Sequence, residues 1–288
     1  MSKNLTLTLI IPVYNEERHL KNCLEAIKNQ TEKPDQVIVV NNNSTDQSAI
    51  IASRYDFVTL VNEEKQGLIA ARNRGFRLAK SDLLARINAN FTIDKNWIKE
   101  VKNTFSDELV GGATGPGRAY ILPLFPNQKS DFWSRFYFWN MQGIFGLQLM
   151  WGANMVIRRS VWLEIKDQSS LDDKAVHEDQ DLSVLISSTG KKIIYNPKMS
   201  GITDSENYSD YFKFAEYKKR QVATYNVHKQ TGNLESAQKS AGVKPYKRLY
   251  MLICTWPFFA GFYFGTFVLM IWRTRILTRI SGYLYIKD

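Results

Sequence analysis

Residues 5–13 read LTLTLIIPV, a segment that first alternates and then becomes continuously apolar. This pattern predicts a strand that is buried on both faces of a sheet. A polar loop follows at residues 14–16, and residues 16–30 then repeat apolar side chains at helical spacing. The start of the chain therefore predicts a strand, a loop and a helix, in that order.

The same unit recurs along the first third of the chain. Apolar runs predict further strands at residues 37–40, 58–61 and 83–87, and helical patterns separate them at residues 47–54 and 68–79. Strands that alternate with helices of this length predict an α/β fold with a mostly parallel, doubly wound sheet and flanking helices.

Polar clusters follow or flank the predicted strand ends. They are residues 14–16, 41–46, 72–73 and 88–90. Any one of them could be a capped turn. Because ligands of doubly wound sheets bind beyond the carboxyl ends of the strands, the four clusters together predict a binding site there.

Five motifs resemble those of family 2 glycosyltransferases with a GT-A fold. They are IPVYNEE at 11–17, VVNNNSTD at 39–46, AARNRG at 70–75, NAN at 88–90 and HEDQDL at 177–182. They occur in the family's order within residues 5–200, and the resemblance implies transfer of a sugar from a nucleotide-diphosphate donor.

The resemblance also implies which residues contact the nucleotide sugar. These are Pro12, Tyr14, Asn15, Glu16, Asn41, Asn42, Arg72, Asn88, Ala89 and Asn90. Asn42 stands where the family usually has an Asp that bonds the base. Because an amide both donates and accepts hydrogen bonds, base selection stays open. For Pro12 and Tyr14, ordinary packing at a strand end is the alternative.

The pair Glu178 and Asp179 implies the catalytic chemistry. In the family, the second residue of this pair is the general base that deprotonates the acceptor hydroxyl, an effect worth roughly a hundred- to ten-thousand-fold in rate. Glu178 would contact the acceptor or tune that base. Acidic residues also favour the first turn of any helix, which is the structural alternative.

Asn88 and Asn90 replace the two Asp residues that the family uses beside its metal. Mg²⁺ and Mn²⁺ prefer anionic oxygen ligands, so these two amides are only weak metal ligands. Three alternatives remain: a weakly bound Mg²⁺ or Mn²⁺ completed by the diphosphate and His177 or Asp179, a metal-independent enzyme, and a pseudoenzyme that binds nucleotide sugars or glycans without catalysis.

The acceptor side is predicted in the stretch of sequence between the last predicted strand, residues 83–87, and the general base Asp179. Residues 132–151 are rich in aromatic side chains, which either form core or line a groove for a lipid or a sugar. The candidates on this side are Trp151, Asn154 and Arg158. Arg158 could equally lie on a solvated face.

Positive charge concentrates in the C-terminal part. Residues 205–288 hold 13 basic and 5 acidic side chains, a net +8 of the whole chain's +10. Within them, residues 249–272 contain no charge and as a helix would be about 36 Å long, enough to span a bilayer core of about 30 Å. A re-entrant segment and a buried core helix are the alternatives.

Three regions follow from these patterns. Residues 1–204 are expected to form the GT-A-like domain, and residues 249–288 the transmembrane or re-entrant segment with its basic tail. Between them, residues 205–248 predict a basic, aromatic helical region that lies at a membrane interface or packs back on the domain.

The sequence as a whole predicts a membrane-associated, inverting glycosyltransferase that acts on a lipid-linked or polysaccharide acceptor of the cell envelope. The N-terminus leads into the first strand without a signal-peptide pattern, so the catalytic domain is expected in the cytoplasm. Two cysteines exclude a disulfide framework. The basic residues flank an apolar span rather than a recognition motif, which argues against nucleic acid as a partner.

Overall fold

The computed structural model describes residues 4–120, 129–203 and 211–254. Its strands are β1 (Leu7–Val13), β2 (Gln36–Asn41), β3 (Val58–Asn62), β4 (Leu83–Ile87), β5 (Phe91–Ile93), β6 (Val110–Thr114), β7 (Gly117–Tyr120), β8 (Lys129–Ser130), β9 (Asn154–Arg158), β10 (Lys192–Tyr195) and β11 (Gly201–Thr203). Its helices are α1 (Glu17–Lys28), α2 (Ser48–Ser53), α3 (Leu68–Leu78), α4 (Trp97–Thr104), α5 (Phe132–Phe145), α6 (Arg159–Ile165), α7 (Glu178–Ser188), α8 (Tyr211–Gln230) and α9 (Asn233–Ala241).

The main sheet has the strand order β10-β6-β9-β4-β1-β2-β3 in the described part of the chain. Strands β1 to β4 pair in parallel, as does β10 with β6, which confirms the predicted α/β fold with a mostly parallel sheet. Strand β9 runs antiparallel between β4 and β6, and a small second sheet has the order β5-β11-β7-β8. The sequence patterns did not predict these two features.

Alternate residues of β1 enter two different apolar layers. Leu7, Leu9 and Ile11 are fully buried in the layer that includes α1, whereas Ile10 is buried on the opposite face with residues of α3. Helix α1 contributes its predicted apolar face, Leu20, Cys23, Leu24 and Ile27, to the first layer. Burial of each large aliphatic side chain contributes roughly 1.5 to 3 kcal/mol. This two-sided packing fixes the carboxyl edge of the sheet on which the polar loops lie.

The aromatic helix α5 is largely a core element. Met141 and Phe145 are fully buried in a third apolar cluster with Val184 of α7 and Leu234 of α9. Phe138 is also buried and packs on Tyr195 at a ring-centroid distance of 5.0 Å. For these side chains, the structure favours the core alternative over an open aromatic groove.

Helix α8 packs back on the catalytic domain. Gln221, Thr224 and His228 lie on its buried face, whereas Val222 and Val227 are exposed. Of the two alternatives for residues 205–248, the described part, which starts at residue 211, therefore shows packing against α7.

The predicted membrane segment lies mostly outside the described residues. Residues 245–254 are helical, and residues 255–272, the remainder of the segment, are not among those described. Arg248 attaches the helical part to α5 by donating hydrogen bonds to the carbonyl oxygens of Gly143 at 3.3 Å and Ile144 at 3.0 Å. Within the described ranges, we find no helix with the length and apolar character that crossing a membrane requires.

Candidate active site

The loops after β1 and β2 are hydrogen-bonded to each other at the carboxyl edge of the sheet. Asn15 adopts a left-handed conformation with φ 55°, which Asn tolerates better than most residues, and its Oδ1 accepts from Thr45 N at 2.8 Å. The backbone N of Glu16 donates to Ser48 Oγ at 2.9 Å. Burial raises the pKa of the Glu16 carboxyl. Asn15 and Glu16 therefore help to shape the predicted nucleotide loop.

The other predicted nucleotide residues at these strand ends differ in exposure. Tyr14 is 54 % exposed beyond β1, while Pro12 is half-buried within the strand. The pairing of β1 with β4 runs only to Ile10, so the missing N–H of Pro12 breaks no bond to that neighbour. Asn41 donates from Nδ2 to Asn62 Oδ1 at 3.0 Å. Tyr14 is thus the most accessible of these side chains.

Asn42 is buried and fully engaged with the loop that precedes α3. Its Nδ2 donates to the carbonyl oxygens of Glu63 and Lys65, both at 2.8 Å, and its Oδ1 accepts from Gly67 N at 2.8 Å. An Asp could not donate to the two carbonyls, which explains why an amide suits this position. The structure places Asn42 as the anchor of that loop, and its contact with a base stays a prediction.

A buried ion cluster lies between α3, β4 and α7. Arg72 is fully buried, and its Nη1 lies 2.6 Å from Glu178 Oε2. Arg86 Nη1 approaches the other carboxylate oxygen, Oε1, at 3.4 Å, and burial lowers the pKa of Arg86. Arg72 also donates from Nε and Nη2 to Asn73 Oδ1, at 3.1 and 3.0 Å. The carboxylate of Glu178 therefore forms ion pairs with two buried arginines.

Asp179 lies beside this cluster, and backbone N–H groups fix its carboxylate. Its Oδ2 accepts from Gly152 N and its Oδ1 from Gln180 N, both at 2.8 Å. Burial raises the pKa of Asp179, and the nearby charge of Glu178 raises it further. A carboxylate with a raised pKa is a better general base near neutral pH than an ordinary aspartate.

Gly152 allows the chain to approach the charged groups closely. A Cβ at this position would lie 2.6 Å from both Arg86 Nη1 and Glu178 Oε1 and 3.3 Å from Asp179 Oδ2. Any larger residue would displace the cluster. Two guanidinium groups and two carboxylates thus form a compact set whose formal charges balance.

The triplet Asn88-Ala89-Asn90 forms the turn between β4 and β5. Asn88 is hydrogen-bonded through its backbone, donating to Ala153 O at 3.3 Å, and Ala89 is buried in the core. The Oδ1 atom of Asn90 is buried and has no hydrogen-bond partner within the described part of the chain. This orphaned oxygen fits one neutral ligand of a cation or an acceptor for a substrate hydroxyl. Among the described residues, no group of three His, Cys, Asp or Glu side chains could hold a metal.

His177 precedes Asp179 by two residues and is bound to α8. Its Nε2 lies 2.7 Å from Tyr217 O, and because a carbonyl only accepts, Nε2 carries the proton. The ring also packs on that of Tyr217 with centroids 3.9 Å apart. Burial lowers the pKa of His177.

Two predicted acceptor-side residues lie at the same edge of the sheet as Asp179. Trp151 packs edge-on against Phe91 with ring centroids 5.6 Å apart and immediately precedes Gly152. Asn154 is fully buried, and its amide accepts from Trp97 Nε1 at 3.0 Å and donates to Met199 O at 2.7 Å. Asn154 therefore connects β9 to α4 and to the loop before β11, and Trp151 adjoins Gly152, whose N–H binds Asp179.

Arg158 lies at the opposite edge of the sheet. The antiparallel register places Asn154 beside Ile87 but Arg158 beside Leu83, at the amino end of β4. Its guanidinium donates to the carbonyl oxygen of Phe105 at 2.8 Å, beyond the end of α4. Three strand residues lie between Asn154 and Arg158, so this register sets Arg158 apart from the edge that carries Asp179, and its predicted acceptor contact stays a prediction.

The family model described as glycosyl transferase family 2 matches residues 8–164, more than half of the chain. This chain belongs to glycosyl transferase family 2. The match covers all but the first residue of β1 and the whole of β2 to β9, but it ends before β10 and before α7, which carries Glu178 and Asp179.

Curated relatives of this family 2 chain are themselves described as glycosyltransferases. The putative glycosyltransferase EpsH of Bacillus subtilis is 33 % identical over 35 % of this chain and 31 % of its own length. The glucosyl-dolichyl phosphate glucuronosyltransferase of Haloferax volcanii is 22 % identical over 67 % of each protein. The alignments with the first three relatives span 31 to 49 % of those proteins' lengths.

Solved structures share the fold. A mannosyltransferase from Pyrobaculum calidifontis, in complex with GDP-Man and Mn²⁺, aligns with 98 % of this chain and 85 % of its own at a TM-score of 0.63 and 18 % identity. TarS of S. aureus with UDP-GlcNAc aligns with 86 % of this chain and 70 % of its own at a TM-score of 0.58 and 14 % identity. At these identities, the likeness establishes the GT-A-like fold.

Sequence reasoning missed two residues of the cluster. Arg86 interrupts the apolar run LLARI, and a charge within a doubly buried strand requires a partner, so this signal was present in the sequence. Gly152 gave no comparable signal, because its close approach to Arg86 and Glu178 depends on the antiparallel placement of β9.

Proposed function

We propose that this protein transfers a sugar from a nucleotide-diphosphate sugar to a hydroxyl of a lipid-linked or polysaccharide acceptor, with inversion and with Asp179 as the general base. The observation that carries this proposal is the Asp179 carboxylate, buried at the carboxyl edge of the sheet and fixed by two backbone N–H groups. The family 2 membership and the described activities of the relatives support the reaction class.

The reaction is a single displacement. Asp179 accepts the proton of the acceptor hydroxyl while the oxygen of that hydroxyl bonds to the anomeric carbon of the sugar. The bond from that carbon to the diphosphate oxygen breaks, and the nucleoside diphosphate leaves with the bonding electrons. Attack from the face opposite the leaving group inverts the anomeric configuration. Proton transfer to a positioned carboxylate contributes roughly a hundred- to ten-thousand-fold.

The donor would lie over the loops that follow β1, β2 and β4. Tyr14 offers an exposed ring for the base or ribose, and Asn90 offers an unpaired oxygen. The fold neighbours with GDP-Man and with UDP-GlcNAc make both bases reasonable first candidates.

A divalent cation, when bound, would neutralise part of the diphosphate charge. Asn90 is the residue that we propose as its ligand, through a neutral amide oxygen. Because neutral oxygens bind Mg²⁺ and Mn²⁺ more weakly than carboxylates, the diphosphate would supply most of the binding.

We also propose that the protein associates with a membrane through its C-terminal part. Residues 249–272 carry no charge, and the described start of this segment exposes Leu249, Tyr250 and Ile253 by 59 to 63 %. Lys244 and Lys247 precede it and would favour anionic lipid by about 1 kcal/mol each. A lipid-linked acceptor would then reach the site from the membrane surface.

A nucleotide screen tests the proposed function. The full chain is heated with UDP, GDP, CDP or dTDP, each with and without Mn²⁺, and transfer from the corresponding sugar nucleotides is followed by release of nucleoside diphosphate. A ligand at a hundred times its Kd stabilises the folded state by about 2.7 kcal/mol. The result that would overturn the proposal is the absence of stabilisation by every nucleotide, together with no release from any donor.

A further inference from the structure

Helix α8 makes an ordered series of contacts with the segment that carries Asp179. Arg220 donates from Nη1 to Asp173 O at 3.1 Å, His177 N donates to Thr224 Oγ1 at 2.9 Å, and His228 Nε2 lies 2.9 Å from Asp181 Oδ1. Each contact joins residues 47 positions apart, and successive contacts advance by four residues on both sides. One face of α8 therefore runs parallel to residues 173–181 in a fixed register.

Thr224 is the central contact of this series. In the first turn of α7, Asp179 Oδ1 accepts from Gln180 N, whereas the side chain of the N-cap residue His177 makes no capping hydrogen bond within the described residues. Thr224 is fully buried; its hydroxyl donates to Arg220 O at 2.8 Å and accepts from His177 N. The hydroxyl is thus oriented by α8 itself and supplies the hydrogen-bond acceptor that His177 needs.

Tyr217 contacts His177 through a second hydrogen bond, at the imidazole ring. Its carbonyl oxygen accepts from His177 Nε2 at 2.7 Å, and its hydroxyl lies 2.8 Å from that of Tyr137 on α5. His177 is consequently held through both its backbone and its ring. Asp179, two residues further on, has only a short length of chain in which to move relative to these fixed points.

We infer that α8 positions the catalytic base, with Thr224 as the principal positioning residue and Tyr217 and Arg220 as supporting ones. The inference rests on the proposed function of Asp179. None of the three residues would touch substrate; they act through His177 and Asp173. Because α8 lies beyond the matched region 8–164, this assigns a role in turnover to a part of the chain outside the family match.

Thr224→Val is the decisive variant, because it keeps the side-chain shape and removes the hydroxyl. We expect kcat to fall about tenfold to a hundredfold, the range in which small misplacements of a catalytic group act. The Kd for UDP or GDP should stay at the wild-type value. Thr224→Ser keeps the hydroxyl and should retain most of kcat, and Val222→Thr, on the exposed face of α8, should leave both constants unchanged.

Two further readouts distinguish positioning from general destabilisation. Hydrogen exchange of peptides covering residues 173–181 should accelerate in Thr224→Val more than exchange in the main sheet, and this measurement needs no donor. The acid limb of kcat should move to lower pH, because a loosened segment admits water to Asp179 and burial is the main cause of its raised pKa. If Thr224→Val does not fold, Arg220→Gln, at a less buried site, should show a smaller change of the same kind.

The same assays separate this inference from the proposed function. UDP-GlcNAc and GDP-mannose serve as donors, and Asp179→Asn is measured in parallel. Retained turnover in Asp179→Asn would refute the role of Asp179 as the general base, and with it the proposed function. If Asp179→Asn is inactive while Thr224→Val keeps wild-type kcat and exchange, only the positioning role is refuted. An equal loss in Thr224→Ser would also refute it, since that variant preserves the bond.

Discussion

Replacing Glu178 by Gln removes one charge from a cluster of four. The carboxylate lies 2.6 Å from Arg72 and 3.4 Å from Arg86, whose side chains are 0 and 3 % exposed. At an effective dielectric constant of about 20, unit charges about 4 Å apart attract by roughly 4 kcal/mol. Breaking a buried pair typically destabilises a protein by about 3 to 5 kcal/mol.

We expect Glu178→Gln to lower the free energy of unfolding by about 3 kcal/mol, the low end of this range, because the Gln carbonyl can still accept from Arg72. The corresponding decrease in Tm is about 6 to 12 °C, measured by differential scanning fluorimetry. The control is Glu32→Gln: Glu32 lies 2.7 Å from Lys102 but is 37 % exposed, so its loss should cost at most about 1 kcal/mol.

The same variant should change the pH dependence of turnover. Glu178 raises the pKa of Asp179, so removing its charge lowers that pKa, and Asp179 then stays ionised to lower pH. The acid limb of kcat should therefore move to lower pH in Glu178→Gln and stay in place in Glu32→Gln. Equal Tm values for the two variants would show that the cluster does not stabilise the fold, and an unmoved acid limb would show that Glu178 does not act on the base.

Three further predictions concern catalysis, metal and membrane. Asp179→Asn should preserve Tm and nucleotide binding while turnover falls by roughly a hundred- to ten-thousand-fold; normal turnover would exclude Asp179 as the base. Asn90→Asp should tighten Mn²⁺-dependent binding of nucleoside diphosphate in calorimetry, whereas strong Mn²⁺ dependence in the wild type would contradict a weak site. The full chain should sediment with anionic vesicles and stay bound in high salt; release by salt alone would leave only an electrostatic interaction.

The fold followed from the sequence wherever the local pattern alone determines the structure. The run at residues 5–13 predicted β1, and the helical spacing of Leu20, Cys23, Leu24 and Ile27 predicted the buried face of α1. The direction of β9 could not be predicted, because a strand buried on both faces has the same apolar composition whether it pairs in parallel or antiparallel. That direction places Asn154 near the site and Arg158 away from it.

The candidate site was predicted in its location more than in its contacts. Glu178 and Asp179 do lie together beside the carboxyl edge, but the pairing of Glu178 with Arg72 and Arg86 depends on three elements that only the tertiary fold brings together. The support of α7 by Thr224 depends on a contact 47 residues away in sequence. No periodicity within a short window contains such information.

The three amides at positions where the family usually has carboxylates have different physical explanations. Asn42 faces two carbonyl oxygens at 2.8 Å, and a carboxylate there would meet two acceptors without a proton to share. The Oδ1 atom of Asn90 has no hydrogen-bond partner among the described residues, so no contact of that oxygen explains the amide. Asn88 and Asn90 share an electrostatic property: each lacks a negative charge that an Asp would place where we propose that the donor's diphosphate binds, whereas Asn42 stands at the position that the resemblance assigns to the base. Since the charges of Glu178 and Asp179 are matched by Arg72 and Arg86, we expect a diphosphate that approaches this edge to meet less repulsion and to depend less on a cation for neutralisation.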